Sequence, residues 1–547
     1  MFTFYKVDVT EHEWTATFDQ SDEITKLHND KEGLKAFLSG VSYLVGYGNY
    51  RCDDKLIASI LKGIDPYQTS LKLRKGQRFN LNLNNPITID ASQELRDVEF
   101  KEAQLNVNSS DDDVLFIKDI FEKREEYFAS KFQLVQEFKL PAASIKKTRA
   151  NLASEVLKSK PSNDNERLHL TYDERLPLHE LPEAVVDFYK EIQKEYEQGI
   201  DHQVLEKRKL TYKLAGIDHV YGFGGLHAAK ENYKGEGKYM HIDISSFYPS
   251  LIINNNFLDE HSMNDFKKIY HTRQQFKLSG NPKEAVYKII LNATYGSLKN
   301  KYSNLYNPKQ ANNVVVNGQL ILTHLICMLE NFVELIQTNT DGIIIKYENG
   351  YERNIIKLLE LIEKAYELKF DVHLINKIAQ KDVNNYVMQY EDGSIKAIGR
   401  FVNYQGGDFE RNSLTIIDKA LVDYYMKGVK INKTVIDLWK SGKFEYFQYV
   451  TKVGKFDGMA QEIMQDTLLE GSYSGRFDEL QNVNRIFATK DRYLGGIYKT
   501  KRSKETKYSK VPYTSENSFV WNGDLSKLNK RKLDLSWYIK LIEGWMF

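Results

Sequence analysis

Cysteine is nearly absent: the 547-residue chain has two, Cys52 and Cys327. They are far apart, and neither sits in a CxxC or His-paired spacing. Neither a disulfide framework nor a zinc site is therefore suggested, and packing is their expected role. No uninterrupted apolar run approaches the roughly 20 residues that a bilayer span needs, so a membrane role is not expected. The start, "MFTFYKVDVTEHEW", has acids and a Trp where a secretory leader needs a basic region and an apolar run. The expected location is the cytoplasm. Excess charge of either sign is also missing, with 76 Lys and Arg against 75 Asp and Glu. This balance neither favours nor excludes nucleic acid, because a groove for a polyanion needs only a local basic surface. Internal repeats and low-complexity segments are absent as well.

What remains is a long, ordinary globular composition, 28% charged and 41% apolar. Such a length suggests roughly three or four domains. Residues 1–155 mix strand-like runs such as "VSYLVGYGNY" with charged helical ones and read as α/β. Residues 156–214 carry "KSKPSNDNERLHLTYDERLPLHELPEAVV", whose prolines and alternating charge lack an apolar period and read as a connector. From 215 to 404, Gly-rich turns and β-rich runs flank helices, which makes this stretch the expected catalytic core. Residues 405–547 return to helices around a basic stretch.

Three short motifs carry the chemistry. "LIQTNTDGIIIKYE" reads as two strands meeting at Asn339-Thr340-Asp341-Gly342, a tight turn with one carboxylate at its tip. "YMHIDISSFYPSLIINN" reads as a strand ending in Asp243, then a turn opening a helix. Between them, "LSGNPKE" breaks a helix and restarts it, with Asn281 as N-cap, Pro282 at the first helical position and Glu284 closing a capping box. The result is a helical hairpin. Arg273 and Lys277 share a face of its first helix, and Lys288, Asn292 and Tyr295 share a face of its second. Gly296 at the end of "ATYG" permits close backbone approach. Cations, an amide and an aromatic ring between two helices suit a polyphosphate with a stacked base. Two carboxylates suffice for Mg²⁺, which typically takes one or two of them plus substrate phosphates.

These motifs resemble motifs A, B and C of family B DNA polymerases. "DISSFYPS" is similar to DxxSLYPS, "KIILNATYG" to KxxxNxxYG, and "NTDG" stands where DTDS is usual. The look is that of the compact polymerases of bacterial viruses, and "YGFGGLHAA" resembles the Gly-rich segment ahead of motif A there. The resemblance implies an α/β multidomain chain: a right-hand polymerase of palm, fingers and thumb behind an RNase H-like exonuclease-type domain. Residues 215–257 and 300–404 would be the palm, 258–299 short fingers and 405–547 the thumb. It implies template-directed addition of deoxynucleotides to a primer by two-metal chemistry, in phage genome replication. Primer-template DNA and dNTPs would be the partners, with replication proteins unspecified, and two Mg²⁺ the cofactors, with Mn²⁺ as a substitute. Asp243, Asp341 and the Ile244 carbonyl would hold the metals. Arg273, Lys277 and Lys288 would hold the triphosphate. Tyr248 matches the steric gate against a 2′-hydroxyl, and Asn292 and Tyr295 would line the nascent base pair. Asn339 replaces the first acid of motif C, which is not generally a direct ligand, so the site is expected to be active.

The same resemblance places exonuclease motifs in the first domain. Asn49 and Asp53 match the second, and Asp113 the third, where the usual Tyr is Ser109. At the first, Lys6 stands where an Asp belongs and Asp8 where a Glu belongs. A lysine puts positive charge where a cation must bind, so an inactive exonuclease fold kept as scaffold and DNA-binding surface is expected. Asp8, Glu11, Asp53 and Asp113 stay open as an alternative acid set. Forty-five residues separate Asp243 from Lys288 and 53 separate Lys288 from Asp341, too few for the insertions of protein-primed relatives. An ordinary primer is expected. "KDVNNY", with Lys381 and Tyr386, loosely matches a primer-terminus contact. In "TKDRYLGGIYKTKRSKETKYSK", Lys499, Lys501 and Arg502 lie among basic residues interleaved with Tyr, which suits duplex contact. Two other readings stay open: a catalytically silent relative that only binds primer-template DNA, and a primase-like or template-independent transferase.

Overall fold

A computed structural model describes residues 2–77, 80–83, 85–106, 113–160, 166–406, 414–466, 473–502 and 506–547. Two compact units share the chain. One is in the main Met1–Thr148 with Gly442–Trp537; the other is Arg149–Gly407 with Thr415–Ser441 and Tyr538–Phe547. The region expected as a single C-terminal domain is thus divided between the two.

The first unit opens with β1 (Phe2–Val9), β2 (Trp14–Gln20), β3 (Glu23–His28), β4 (Tyr43–Gly46) and β5 (Ile87–Asp90), arranged β3-β2-β1-β4-β5. The three leading strands form an antiparallel meander, whereas β4 and β5 run parallel to β1 and to each other. Alternation along β1 buries Tyr5 and Val7 against Trp14, Ala16 and Phe18 of β2. Helices α1 (Asp53–Leu61) and α2 (Pro66–Arg74) close over this core, with Asp65 capping α2 and Pro66 opening it. A further helix, α3 (Asp113–Lys123), packs on β1.

The second unit is built on a nine-stranded sheet, β14-β13-β12-β9-β11-β10-β8-β7-β6. Its strands are β6 (Leu210–Leu214), β7 (Ile217–Tyr221), β8 (His227–Ala229), β9 (Tyr233–Ile244), β10 (Val333–Asn339), β11 (Gly342–Tyr347), β12 (Phe370–Asp382), β13 (Asn385–Tyr390) and β14 (Ile395–Ile398). Helix α4 (Phe247–Asn254) follows β9. The hairpin of α5 (Glu260–Ser279) and α6 (Glu284–Lys299) comes next, then α7 (Pro308–Leu329) and α8 (Glu352–Tyr366).

Helix α7 is long and apolar enough to cross a membrane by length and composition, but 83% of its apolar window is buried inside the protein. Its buried polar side chains have partners. The Asn317 amide donates to the Thr171 carbonyl and its oxygen accepts from the Asp173 N–H, while Asn313 accepts from the Thr171 N–H. The segment expected as a connector is therefore pinned to α7, and it also contains a helix, Glu183–Glu197. Unpaired backbone groups beside a buried helix would be costly, and these amides satisfy them.

The later part of the first unit adds β15 (Tyr449–Lys452), β16 (Gly458–Asp466), β17 (Tyr473–Leu480), β18 (Val483–Ala488), β19 (Leu494–Lys501), β20 (Lys507–Lys510) and β21 (Ser518–Val520). They form one three-stranded sheet, β15-β18-β21, and one four-stranded sheet, β17-β16-β19-β20.

Candidate functional site

Strand β9 ends at Ile244, Ser246 turns the chain with a left-handed φ of 53°, and α4 begins at Phe247. Positive φ is strained for a residue with a side chain. Here the Arg273 guanidinium donates to Ser246 Oγ at 2.5 Å and fixes it. Asp243 is left at the strand end, facing a cleft.

The hairpin of β10 and β11 brings Asp341 to the same cleft. Its turn is closed by the Asp341 N–H on the Asn339 carbonyl at 2.6 Å, with Thr340 at φ 53°. Two contacts hold this strained turn: the Thr340 N–H donates to the Leu226 carbonyl at 2.8 Å, and the Ile244 N–H donates to the Asp341 carbonyl at 2.7 Å. The Gly-rich segment ahead of β8 has a steric reason for its composition, since a Cβ on Gly225 would sit 2.3 Å from Thr340 Oγ1. Gln319 of α7 donates to the carbonyls of Gly222 and Gly224 and anchors that segment.

Gly342 pairs directly with Asp243 across the two strands. A Cβ there would lie 2.4 Å from Asp243 Oδ1 and 2.7 Å from the Ile242 carbonyl. The turn itself needs no positive φ at this residue; close approach of the strands is what demands glycine.

The cleft, of about 780 Å³, is lined by Asp243, Ile244, Tyr248, Asp341 and, from the helical hairpin, Arg273, Lys277, Lys288 and Asn292. Sequence reasoning gave Glu284 a capping box. Instead its carboxylate accepts from Arg273 Nε at 2.7 Å, bridging the two helices, because α6 begins at Glu284 itself and Asn281 caps the turn before it through the Lys283 N–H. Lys277 reaches Ser245 Oγ and Asp371, each at 3.4 Å. Lys288 is exposed and makes no hydrogen bond or ion pair with any described residue. Tyr295 does not line the cleft. Its ring packs on Tyr248 at 4.5 Å, and Phe247 stacks on Tyr248 at 5.9 Å, so Tyr248 is held between aromatic neighbours in the cleft wall. Gly296 faces open space, and no close approach uses it.

Sequence reasoning missed three side chains around Asp243. His241, 6% exposed, donates from Nε2 to Asp243 Oδ1 at 3.1 Å, and Lys396 of β14 lies 3.9 Å from Oδ2. His373 of β12 stacks on His241 at 6.2 Å. Strand alternation in "MHID" puts His241 and Asp243 on one face, so His241 had a readable signal. Lys396 had none, since it arrives by way of two intervening strands. Burial works to raise the Asp243 carboxyl, but the His241 hydrogen bond and the charges of His241, Lys396 and His373 outweigh it and hold Asp243 below the ordinary range. Asp341 goes the other way: burial, then repulsion from Asp243, pushes it up.

Asp243 and Asp341 repel each other across one cleft and together offer hard oxygen ligands, which fits a divalent cation. Among the described residues no group of three or more His, Cys, Asp and Glu converges on a metal position. The Ile244 carbonyl, water and substrate phosphates would have to complete any coordination.

Asn339 lies beside the pair. Its side-chain oxygen accepts from Thr340 Oγ1 at 3.5 Å. Tyr386, 3% exposed, borders a second cavity of about 150 Å³ behind the acids, together with Gln337, Asn339 and Lys396. Lys381 lines neither cavity and lies 6.0 Å from the Trp545 ring. In the first unit, Lys499, Lys501 and Arg502 fall on β19 and just past it, where Arg502 pairs with Glu479 at 3.7 Å and Lys499 lies over Phe456 at 5.6 Å. Of the tyrosines interleaved there, Tyr498 and Tyr508 pack on Phe477. Lys504 and Glu505 lie outside the described residues.

Lys6 and Asp8 pair with each other at 3.7 Å on β1. Asn49 is fully buried and donates to Asp54, which also accepts from Tyr5 and Thr88. Asp53 accepts the Val7 N–H at 3.2 Å, and Glu11 is exposed in the turn after β1. Asp113 begins α3; its side chain and all of Ser109 lie outside the described residues.

Burial pushes Asp53 up to about 6. A carboxyl raised in the folded state is neutral at no cost below the unfolded pKa and destabilises progressively as pH rises through the folded value. Asp53→Asn is expected to stabilise the protein by about 2 kcal/mol at pH 7.5, with the gain gone near pH 4. Urea unfolding across that range checks it, and an equal gain at both pH values would contradict the assignment.

No family model and no curated protein matches the chain. Among solved structures, the chain is similar to the family B DNA polymerase from the hyperthermophilic archaeon Pyrobaculum calidifontis. The TM-score is 0.41 and the identity 12%, over 99% of this chain and 77% of that one.

Proposed function

We propose that the chain is a template-directed DNA polymerase that extends an ordinary primer. The observation that carries this reading is the cleft itself: Asp243 near the end of β9 and Asp341 in the turn just before β11, faced by Arg273, Lys277 and a Lys288 with no partner among the described residues. The Asp243–Asp341 pair and these cations on one cleft suit a metal-bound triphosphate. Two Mg²⁺ ions held by Asp243, Asp341 and the Ile244 carbonyl would supply activation of the primer hydroxyl and neutralisation of the departing pyrophosphate.

The chain's own groups do the positioning. Lys288 and Lys277 take the phosphates, and Arg273, held by Glu284, keeps Ser246 and the turn after Asp243 in place. His241 orients the Asp243 carboxylate. In this reading the α5–α6 hairpin acts as short fingers and the nine-stranded sheet as a palm. Tyr386 lies near the primer terminus, and Lys381, Lys499, Lys501 and Arg502 contact DNA. Lys6 supports the absence of 3′–5′ proofreading, and replication of a bacteriophage genome is the proposed setting. Single-nucleotide incorporation on four templates that differ at the first templating base tests the reading. Each template should select its complementary dNTP, and incorporation blind to the template would overturn it.

In this reading Tyr248, packed on Tyr295, rejects a ribose 2′-hydroxyl. Tyr248→Ala is expected to lower the preference for dNTP over rNTP by at least about tenfold, measured as the ratio of kcat/KM values, with dNTP use retained. An unchanged ratio would remove Tyr248 from that role.

A further inference from the structure

Helix α7 touches the supports of both acids at neighbouring residues. Gly318 packs on the helix that follows Asp243, where a Cβ would lie 3.2 Å from the Phe247 ring of α4. Gln319, 2% exposed, reaches the support of Asp341. Its Nε2 donates to the Gly222 carbonyl at 2.9 Å and to the Gly224 carbonyl at 2.5 Å, and its Oε1 accepts from the Gly222 N–H at 3.4 Å. Two residues beyond Gly224, the Leu226 carbonyl accepts the Thr340 N–H at 2.8 Å, one residue before Asp341. The stretch Gly222–Leu226 lies between β7 and β8 and belongs to neither, so no strand ladder holds its carbonyls. Its glycines at 222, 224 and 225 offer no side chain as an anchor and leave the backbone loose unless something else binds it. Gln319 is that anchor. The hydroxyl of Tyr189, fully buried on the helix Glu183–Glu197, donates to Gln319 Oε1 and lies 3.2 Å from the Gly222 carbonyl. With Oε1 occupied as an acceptor, the two N–H donors of the amide face the glycine carbonyls.

We infer that Gln319 and Tyr189 are positioning residues for Asp341. Acting through the glycine stretch and Thr340, they fix where the Asp341 carboxylate stands relative to Asp243, and neither lines the cleft. Helix α7 is then the common frame of the pair, with Gly318 seated on α4 and Gln319 holding the turn. The functional half of this inference rests on the polymerase reading of the cleft. Mg²⁺ demands near-ideal octahedral geometry, and a displacement of about 1 Å at a reacting centre costs on the order of 10²-fold. Loosening the anchor therefore acts on catalysis and on metal dependence, whereas Lys277 and Lys288, which take the phosphates in that reading, stay where they are.

Hydrogen exchange of the full chain, without metal or DNA, tests the geometry, read by mass spectrometry on a peptide spanning the Asn339–Asp341 turn. The variants are Gln319→Met, which keeps side-chain length and removes both donors, and Tyr189→Phe, which removes one hydroxyl. Asn313→Ala is the control, since Asn313 lies on the same helix but holds the Thr171 N–H rather than the glycine stretch. The turn should exchange about tenfold faster or more in Gln319→Met, less so in Tyr189→Phe, and at the wild-type rate in Asn313→Ala, although all three unfold at lower denaturant. In primer extension, kcat of Gln319→Met should fall about tenfold or more, with KM for dNTP within about twofold of wild type and a higher Mg²⁺ concentration needed for half-maximal rate. Asn313→Ala should keep the wild-type kcat. Three results overturn the inference: unchanged turn exchange in both network variants, equal acceleration in the control, or wild-type kcat in Gln319→Met. Tyr189→Phe keeps the test decisive should Gln319→Met fail to fold. Exchange needs no catalysis, so a wild type that extends no primer sinks the polymerase reading, while the exchange rates alone decide whether Gln319 and Tyr189 hold the turn.

Discussion

Asp341→Ala and Asp243→Ala are each expected to abolish primer extension, by about three orders of magnitude or more, with binding of primer-template DNA retained. The size follows from what each carboxylate does. A metal ion at a reacting phosphate stabilises developing charge by several kcal/mol, and about 4 kcal/mol corresponds to about 10³-fold in rate. Of the four carboxylates on the cleft, Glu284 is tied to Arg273 and Asp371 to Lys277, so neither Asp243 nor Asp341 has a free substitute. Asp341 is pushed up by burial and by Asp243, a repulsion that a bound cation would offset. Extension rates with each variant, beside a fluorescence assay of DNA binding, check the outcome. A loss below tenfold in either would place the chemistry elsewhere.

Gly342→Ser is the second large effect. A Cβ at this position meets the Asp243 carboxylate at 2.4 Å and the Ile242 carbonyl at 2.7 Å. Contacts below 3 Å force a shift, and the carbonyl belongs to a strand hydrogen-bonded on both sides, between β11 and β12. The strands must part where Asp243 leaves β9. Misplacing a reacting group by about 1 Å costs on the order of 10²-fold, and overpacking costs about 1–3 kcal/mol of stability. Extension should fall about a hundredfold, chiefly in kcat, with a lower unfolding midpoint. Wild-type kcat with Ser at this position would show that the strands adjust freely and that glycine is incidental.

Much of the site was legible because it is local. The alternation flanking "NTDG", the strand that ends at Asp243 and the Gly280-Asn281-Pro282 break each depend on a few adjacent residues. The pairing of Asp341 with Asp243 depends on β11 lying beside β9, and motif order suggested this through resemblance rather than through the residues themselves. Long-range partners were not legible. Lys396 reaches Asp243 only because β14, β13 and β12 extend the sheet on that side. Glu284 looked like a capping residue because its spacing from Asn281 fits a capping box. The actual helix start and an arginine 11 residues earlier redirect it. The segment before β6 looked like a connector because its polar groups find their partners on α7, far along the chain. The grouping of Gly442–Trp537 with the N-terminal sheet had no local signature at all.

Primer extension on a 5′-labelled primer-template, with Mg²⁺ and dNTPs, puts the central claim to its most direct test, with wild type run beside Asp341→Ala and a lane without dNTPs. The account predicts products that follow the template, none from Asp341→Ala, and a primer left intact when dNTPs are withheld. Failure of the wild type to extend, in a preparation that is folded and binds the primer-template, would contradict it and leave a protein that only holds DNA.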